Sequence, residues 1–277
     1  MRIIKTSLIE ETIYSLTLEA AFALEGDLIA AFQDAQQQED TPIAKSVLES
    51  IITNQKIAKE ERIPICQDTG IVVIFLEIGE SIFIEGDLDA AIHNGIKRAY
   101  KDGYLRNSVA DPITRVNTQD NTPAIIHTKR TQGDFLTIHV LPKGAGSENM
   151  SKLIMLPPTA GEEKIIEFIL DSIQTAGGKP CPPIIVGVGI GGNFELSALL
   201  AKEALLRPIN DIASEPHIAA LEAKLLSKIN ALDIGPMGFG GKTTALAVKI
   251  NTAPTHIASL PVAINLSCHA HRHKSKV

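Results

Sequence analysis

The sequence predicts an α/β fold, a single domain of mixed sheets flanked by helices, with the candidate site residues on loops that converge at one edge. Segments with apolar residues at helical spacing alternate with short β-branched runs typical of strands. Gly and Pro lie at most boundaries between these segments. With 277 residues, of which 44% are hydrophobic and 21% charged, the chain can bury a large core. We therefore expect residues 1–277 to form one domain.

The N-terminal part, up to residue 61, is predicted to be mainly helical. Helix formers dominate SLIEETIYSLTLEAAFALEGDLIAAFQDAQQQ. A further helix is expected to begin at Pro42, with Thr41 as its N-cap, and to end before Pro64. The next loop carries Cys66 and leads into the strand-like run IVVIFLEI. An amphipathic helix follows, and Gly103 is its expected end.

The remaining elements are predicted from the same signals. Residues 124–141 alternate around Gln132-Gly133-Asp134, which favours a hairpin, and a small-residue loop, KGAGSENMS, follows. Strands are expected at SKLIMLPP, PIIVGVGIGG, TTALAVKI and LPVAINLS. Helices are expected at GEEKIIEFILDSIQTAGG, NFELSALLAKEALL and EPHIAALEAKLLSKINAL. The basic segment 269–277 is expected to be a mobile tail.

Charge and hydropathy exclude several classes of protein. A net charge of −6 argues against a nucleic-acid-binding protein, which needs a dense basic face. No apolar run approaches the roughly 20 residues of a membrane-spanning helix. The start, MRIIKTSLIEETIY, does not resemble a signal peptide. We therefore expect a cytoplasmic protein with reduced thiols and no membrane partner.

The three cysteines, Cys66, Cys181 and Cys268, are the strongest chemical signal in the chain. Each lies in a short segment flanked by Pro or Gly, and they are too far apart for a local C-x-x-C site. Three thiolates suit an iron–sulfur cluster that leaves one iron open to substrate. Two alternatives stay open: small buried side chains without function, or a zinc site completed by a histidine of the segment 269–273.

Two glycine-rich segments resemble nucleotide-binding motifs. Residues 187–192 fit G-x-G-x-x-G between a strand and a helix, so a nicotinamide oxidoreductase is a rival class and a tight strand-to-helix turn is the alternative. However, a second helix follows where a dinucleotide-binding unit needs a parallel strand. The segment GPMGFGGKTT misses the P-loop spacing by one residue, because Pro236 occupies the position of the first glycine. Its backbone N–H groups remain candidates for binding an anion.

Polar residues near the cysteines complete the candidate site. Gln67 and Asp68 directly follow Cys66 and supply an amide and a carboxylate, although Asp68 could equally cap a turn. Arg106 is a natural partner for a substrate carboxylate, with a surface salt bridge as the alternative. His256 precedes the strand that leads to Cys268 and is a second candidate, with a structural histidine as the alternative.

Several motifs together resemble the class I, iron–sulfur family of fumarate hydratases. The similarity is to the α subunit of the two-subunit form, which is itself similar to that of L-tartrate dehydratase. The motifs, which span nearly the whole chain, are PICQDTG, LRNSV, NTPAIIH, KGAGSENMS, PCPPIIVGVGIGG, GFGGKTTALAV, THIASLPVAIN and CHAHRH. One departure is Ala145, since the family has KGGGSEN where this chain has KGAGSEN.

The resemblance implies a cofactor and roles for individual residues. The three cysteines would hold a [4Fe–4S] cluster whose fourth iron binds the substrate. Asp68 would take part in proton transfer, and His256 would lie over the bound hydroxy acid. The residues expected to contact substrate are Gln67, Arg106, Gly144 and Gly146.

The resemblance also implies an activity and a partner. The expected reaction is the reversible hydration of fumarate to L-malate, a step of the tricarboxylic acid cycle. The alternative is L-tartrate dehydratase, which converts tartrate to oxaloacetate and water. The resemblance implies that further cationic residues of the site belong to a second domain, which we expect outside the residues of this chain. We therefore expect a separate β subunit, in a heterodimer or heterotetramer that acts on a small dicarboxylate.

Overall fold

The computed structural model describes residues 2–277 and confirms an α/β structure with helices and mixed sheets. The chain divides into two compact units. Unit 1 comprises the residues up to Glu25, Asn54–Ala145 and Arg272–Val277. Unit 2 comprises Gly26–Thr53 and Gly146–His271. The expectation of one domain over residues 1–277 stays a prediction.

The helices begin and end close to the positions predicted from the sequence. They are α1 (Thr6–Phe22), α2 (Gly26–Gln38), α3 (Pro42–Glu61), α4 (Leu88–Asp102), α5 (Ala145–Glu148), α6 (Gly161–Ala176), α7 (Phe194–Ala204) and α8 (Pro216–Asn230). Asp87 caps α4 by accepting a hydrogen bond from the backbone nitrogen of Ala90 at 3.0 Å, and Gly103 follows its last residue. The loop KGAGSENMS contains the single turn of α5.

The strands lie in three sheets. They are β1 (Arg2–Lys5), β2 (Ile71–Gly79), β3 (Ile82–Glu85), β4 (Ile125–Thr131), β5 (Leu136–Lys143), β6 (Lys152–Leu156), β7 (Ile184–Gly191), β8 (Ala245–Ala253), β9 (Leu260–Ser267) and β10 (Lys274–Lys276). Strands β1 and β3 form a parallel pair. The other two sheets have four strands each, in the orders β10-β5-β2-β4 and β6-β9-β7-β8. Both have the same succession of two antiparallel pairs and one parallel pair.

The predicted hairpin at residues 124–141 is wrong in its pairing. Both strands exist, but β4 pairs parallel to β2 and β5 pairs antiparallel to β2, so β2 lies between them. The reason is burial, because β2 is apolar and buried along most of its length and therefore takes a central position. Strand β4, with its exposed polar residues, takes the edge.

The glycines of residues 187–192 are explained by helix packing. A Cβ atom on Gly189 would lie 2.0 Å from the carbonyl oxygen of Ser197, and one on Gly187 would lie 2.2 Å from that of Ala201. Helix α7 therefore packs directly on β7 only because these residues lack side chains. The close packing accounts for the motif without a dinucleotide.

Each unit has its own apolar core. In unit 1, α1 and α4 pack on the sheet through residues such as Ile13, Ile92 and Leu76. In unit 2, α6 and α8 cover the sheet through residues such as Ile169 and Leu225. None of the helices within residues 2–277 combines the length and the apolar character required to span a bilayer.

The expectation of a mobile C-terminal tail is wrong. Strand β10 pairs antiparallel with β5, and the Nζ of Lys274 lies 3.0 Å from a carboxylate oxygen of Glu25. Arg272 is only 3% exposed and His271 only 2%. The open edge of β5 supplies backbone partners that the basic composition of the segment does not reveal.

Candidate active site

In unit 1, two chain segments meet at one end of the sheet. The loop that contains Cys66 and Asp68 leads into β2, and the segment that begins at Gly144 follows β5. Because β2 and β5 are antiparallel, with Ile71 opposite Lys143, the start of one strand lies beside the end of the other. The sheet register therefore brings Asp68 to Gly144 and Ala145.

The Asp68 carboxylate is held through both of its oxygens. Oδ2 accepts a hydrogen bond from the backbone nitrogen of Ala145 at 2.7 Å, and Oδ1 accepts one from that of Gly70 at 3.1 Å. A Cβ atom on Gly144 would lie 3.0 Å from Oδ2, so glycine at this position lets the two segments approach closely. Asp68 therefore does cap the following turn through Oδ1, as the alternative had it. Its Oδ2 instead accepts a bond from Ala145, in a distant segment of the chain.

Three successive carbonyl groups next to this carboxylate are bound by side chains. Arg272 donates from Nη2 to the carbonyl of Asp68 at 2.7 Å. The Tyr100 hydroxyl lies 2.8 Å and 3.0 Å from the carbonyls of residues 69 and 70, and Asn121 donates to the second of these at 3.2 Å. Burial raises the pKa of Tyr100, so its hydroxyl stays neutral and remains a donor. The backbone of residues 68–70 is therefore fixed on the side away from solvent.

Arg106 lies beside the same loop. Its carbonyl accepts a hydrogen bond from Thr69 Oγ1 at 2.8 Å, and the backbone nitrogen of Ser108 donates to Asn121 Oδ1 at 2.6 Å. The guanidinium is exposed, and across residues 2–277 no ion pair involves it. The surface salt-bridge alternative is therefore not found, and the guanidinium is available to a ligand.

The remaining candidates of this segment are accessible. Gln67 is exposed, and Cys66 is partly exposed. Gly144 is partly exposed in unit 1, whereas Gly146 belongs to unit 2, where it is exposed in α5. An exposed amide and an exposed backbone are chemically able to contact a small polar ligand.

In unit 2, sheet register brings the other two cysteines to one end of the sheet. Cys181 precedes β7, and Cys268 directly follows β9. Because β7 and β9 are antiparallel, with Ile185 opposite Ser267, both cysteines lie at the same end. The backbone nitrogen of His269 donates to the carbonyl of Cys181 at 3.1 Å, which ties the two segments together.

A glycine-rich loop supports the Cys181 segment. The backbone nitrogen of Met237 donates to the carbonyl of Pro182 at 2.8 Å. A Cβ atom on Gly178 would lie 3.2 Å from the Cα of Gly238, so both backbones approach closely. The segment GPMGFGGKTT, considered above as a candidate for binding anions, therefore acts as a scaffold beneath the cysteine loop.

A buried carboxylate holds the far end of that scaffold. Glu39 is 1% exposed, and its Oε2 accepts a hydrogen bond from the backbone nitrogen of Lys242 at 2.7 Å. Its Oε1 accepts three further bonds, from the backbone nitrogens of Asp40 and Thr41 and from Thr41 Oγ1. Burial by itself raises the pKa of Glu39, but the bonds from Thr41, Asp40 and Lys242 outweigh it and hold the pKa below its usual value.

Glu148, from the motif KGAGSENMS, has structural partners in unit 2. It forms an ion pair with Lys202, and its Oε2 accepts a hydrogen bond from Asn265 Nδ2 at 3.0 Å. Burial lowers the pKa of Lys202, while the Glu148 carboxylate opposes that shift. The motif thus joins α5, α7 and β9.

His256 lies away from both cysteines of unit 2. It occupies the turn between β8 and β9, and Nδ1 accepts a hydrogen bond from the backbone nitrogen of Ala258 at 3.1 Å. Cys268 follows the other end of β9, whose eight residues span roughly 25 Å at the usual rise of a strand. Within unit 2, the expected proximity of His256 to Cys268 is therefore not found. With Nδ1 as acceptor, a neutral ring carries its hydrogen on Nε2.

The sulfur atoms are chemically suited to a cluster. Within residues 2–277, none of the three cysteines forms a disulfide, and all three are partly exposed. In the described residues, no group of three His, Cys, Asp or Glu side chains is placed to hold a metal ion. A [4Fe–4S] cluster does not require thiolates to converge on one atom, because each binds a different iron. The donor set therefore fits such a cluster.

Three residues beside Asp68 were not singled out from the sequence. They are Tyr100, Asn121 and Arg272. Asn121 and Arg272 lie inside the motifs NTPAIIH and CHAHRH, and membership of these motifs is the sequence signal that could have identified them. Tyr100 lies at the end of an amphipathic helix, where its pattern is that of an ordinary core residue.

Comparison with known proteins places the chain among hydro-lyases. The sequence pattern of the family described as "Fumarate hydratase (Fumerase)" matches residues 10–277. The chain is similar to the "Putative L(+)-tartrate dehydratase subunit alpha" of Methanocaldococcus jannaschii, with 45% identity over 275 residues, covering 97% of this chain and 96% of that protein.

More distant relatives have the same kind of name. The chain is 29% identical over 266 residues to the "L(+)-tartrate dehydratase subunit alpha" of Escherichia coli (strain UTI89), covering 95% of this chain and 88% of that protein. The protein of the same name from Shigella boydii shows the same identity and coverage. The similarity thus extends over nearly the whole chain.

Proposed function

Because the chain belongs to the fumarate hydratase (Fumerase) family of hydro-lyases, we propose that it is the α subunit of a [4Fe–4S] enzyme that reversibly hydrates fumarate to L-malate. The observation that carries this proposal is the Asp68 carboxylate, held through both oxygens two residues after a free cysteine. A carboxylate held in this way keeps one orientation for repeated proton transfer.

The cofactor would be held by Cys66, Cys181 and Cys268. When bound, an iron without a cysteine ligand supplies a Lewis acid for the substrate's hydroxyl and carboxylate oxygens. Thiolates in this role must be reduced, which suits the cytoplasm that we propose as the location. Their partial exposure leaves them reachable by iron and sulfide during assembly.

The protein's own residues would bind and orient the dicarboxylate. Arg106, which is exposed and has no ion pair in the described part of the chain, binds one carboxylate through a bidentate contact. Gln67 supplies an amide donor, and the backbones of Gly144 and Gly146 approach the substrate because neither has a side chain. Together these contacts hold the reacting carbons in one orientation.

Asp68 would move the proton. In hydration, one alkene carbon of fumarate gains the hydroxyl and its neighbour gains a proton, which a protonated Asp68 delivers. In the reverse direction, the Asp68 carboxylate removes that proton as the hydroxyl leaves. The amides of Ala145 and Gly70, bonded to Oδ2 and Oδ1, fix the plane of the carboxylate.

His256 is proposed to act on substrate bound to a second copy of the chain. The motivating observation is its position at the opposite end of β9 from Cys268. Co-expression of a Cys268→Ser chain with a His256→Asn chain tests this arrangement. Partial activity from two inactive chains is the expected result, and no recovery despite proven co-assembly would remove His256 from the mechanism.

A β subunit is proposed as the partner, in a heterodimer or heterotetramer. A dicarboxylate needs two cationic partners, and Arg106 is the one that we assign in this chain. The relatives from three organisms are named as alpha subunits, which supports the same proposal. High activity from the purified α chain alone would contradict it.

L-tartrate is the second candidate substrate. It is favoured by the names of the relatives, each of which is called an L(+)-tartrate dehydratase subunit. Loss of water from tartrate gives oxaloacetate and uses the same proton removal by Asp68 next to a departing hydroxyl. Parallel assays with L-malate, fumarate and L-tartrate on one preparation distinguish the two, since the better substrate has the higher kcat/KM.

The first experiment measures iron, zinc and acid-labile sulfide in the chain, co-expressed with its candidate β subunit and purified without oxygen. About four irons and four sulfides per α chain are expected. Zinc without sulfide would reject the proposed function. Exposure to air should then lower the iron content and the activity together, because an iron without a cysteine ligand is accessible to oxidants.

The Asp68→Asn variant tests the proton-transfer role. Asparagine keeps the size of the side chain and removes the carboxylate, so the cluster should be retained while turnover falls by about 100-fold or more. Asp89→Asn, an exposed substitution in the first turn of α4, is the matched control and should leave turnover unchanged. Full activity of Asp68→Asn would show that another group moves the proton.

A further inference from the structure

Arg272 is an unusual residue of unit 1. It lies two residues before β10, and it is 3% exposed although arginine is almost never fully buried without a partner. Its Nη2 donates to the carbonyl oxygen of Asp68 at 2.7 Å. Within residues 2–277, neither Nε nor Nη1 has a hydrogen-bond acceptor.

This environment is costly for the stability of the fold. A buried guanidinium whose Nε and Nη1 both lack an acceptor loses the hydration of their N–H groups without recovering it in the protein. A residue that only filled space at this position would be better replaced by an apolar side chain. Among residues 2–277, the one hydrogen-bond partner of Arg272 is the carbonyl of Asp68, and we infer that this contact is the reason for the arginine.

The contact completes a network around Asp68. The two carboxylate oxygens are bonded to backbone nitrogens of Gly70 and Ala145, whereas the carbonyl oxygen is bonded to Arg272. A Cβ atom on Gly144 would lie 3.5 Å from the same Nη2, so the guanidinium also packs against the segment that orients Oδ2. A planar guanidinium fixes these groups in a way that the flexible ammonium of lysine does not.

Resting on the function proposed above, we propose that Arg272 is the positioning residue for Asp68: its guanidinium fixes the backbone of Asp68 so that the carboxylate faces the substrate. Arg272 itself does not contact the reacting atoms. Removing the guanidinium leaves the cysteines and Arg106 in place, but the Asp68 carboxylate is no longer held in one orientation. Its loss should therefore reduce kcat far more than it raises KM.

The first test uses the co-expressed, cluster-loaded enzyme with Arg272→Lys and Arg272→Gln. Lysine keeps the positive charge, and glutamine keeps a planar donor without charge. Using both variants guards against the failure of one of them to fold. We expect unchanged iron and sulfide, KM within about threefold, and kcat lowered about 10- to 100-fold, as for a small misplacement of a catalytic group. Added guanidinium should restore part of the kcat of Arg272→Ala and none of the kcat of Asp68→Asn.

A matched control separates positioning from stability. Arg207 is a largely buried arginine of unit 2 that pairs with Glu222 and Asp211. Arg207→Met should lower Tm and leave kcat per cluster unchanged. If the Arg272 variants behave like this control, with a lower Tm and normal kcat, the residue is structural and the proposal is overturned.

Hydrogen exchange supplies a readout that needs neither cluster nor substrate. The backbone amides of Gly70 and Ala145 donate to the Asp68 carboxylate, so they should exchange faster in the full-length Arg272→Lys chain. Unchanged exchange at both amides would overturn the proposal. Faster exchange together with an inactive wild-type enzyme would instead contradict the proposed function and leave the Arg272–Asp68 linkage supported.

Discussion

The Asp68 carboxylate accepts a hydrogen bond from the backbone nitrogen of Ala145 at 2.7 Å, although 77 residues separate them in the chain. The bond forms because antiparallel β2 and β5 place the start of one strand beside the end of the other. Ala145 is also the position at which this chain departs from the family motif. The backbone contact explains why alanine serves there, since its side chain is exposed and its N–H group makes the bond.

Substitutions at Ala145 test this bond directly. Ala145→Pro removes the N–H group at the first residue of α5, where proline is otherwise tolerated. We expect kcat to fall about 10- to 100-fold with the cluster retained. Ala145→Gly keeps the N–H group and should stay within about twofold of the wild type. Equal losses in both variants would show that the side chain, not the amide, is required.

Substitution of the cysteines tests the cofactor. Ser and Ala variants at Cys66, Cys181 or Cys268 should each lose iron and sulfide, because a three-thiolate cluster has no spare ligand. Each site is partly exposed, so Tm of the cluster-free chain should change by only a few degrees relative to the cluster-free wild type. Retention of iron in any Ala variant would support the alternative of a small apolar side chain at that position.

Glu39 should make stability depend on pH. Its lowered pKa means that the folded chain favours the ionised form, so its contribution is complete above the ordinary value of 4.5. That contribution is lost as the pH falls through the lowered pKa. Glu39→Gln should lower the free energy of unfolding by about 1–3 kcal/mol at pH 7. Urea titrations should show this difference shrinking below pH 4.5.

A matched variant isolates the buried bonds of Glu39. The neighbouring Asp40 also has a lowered pKa, caused by Lys242, but its side chain is exposed. Asp40→Asn should therefore change stability little at any pH. An equal effect from both variants would mean that the four hydrogen bonds to Glu39, one of them from the glycine-rich loop, add no stability beyond that of an exposed carboxylate.

Gly189 tests the structural explanation of the dinucleotide-like motif. A methyl group there would meet the carbonyl oxygen of Ser197 at 2.0 Å, so Gly189→Ala should lower the free energy of unfolding by about 1–3 kcal/mol or more. Gly26→Ala is the control, since a Cβ there meets nothing within 4 Å, and it should be neutral. Calorimetric titration of the wild type with a nicotinamide dinucleotide should detect no binding.

The elements were predictable where the signal was local. Pro42, Gly103 and the apolar periodicity of the helices mark boundaries that depend on nearby residues, and the structure has them close to the expected positions. The pairing of β4 and β5 was not predictable in this way. Adjacent strands with a turn between them favour a hairpin, but the more apolar β2 competes for the central position and occupies it.

The chain by itself determined its types of element, its family and the residues that carry the proposed chemistry, because propensity and motif are written in neighbouring residues. Tertiary structure alone decided which of those residues meet. Register between antiparallel strands joined Asp68 to Ala145, brought Cys181 and Cys268 to the same end of one sheet, and placed His256 at the far end of β9. It also buried Arg272 against Asp68, because an open strand edge captured a segment whose basic composition indicated only a solvated tail.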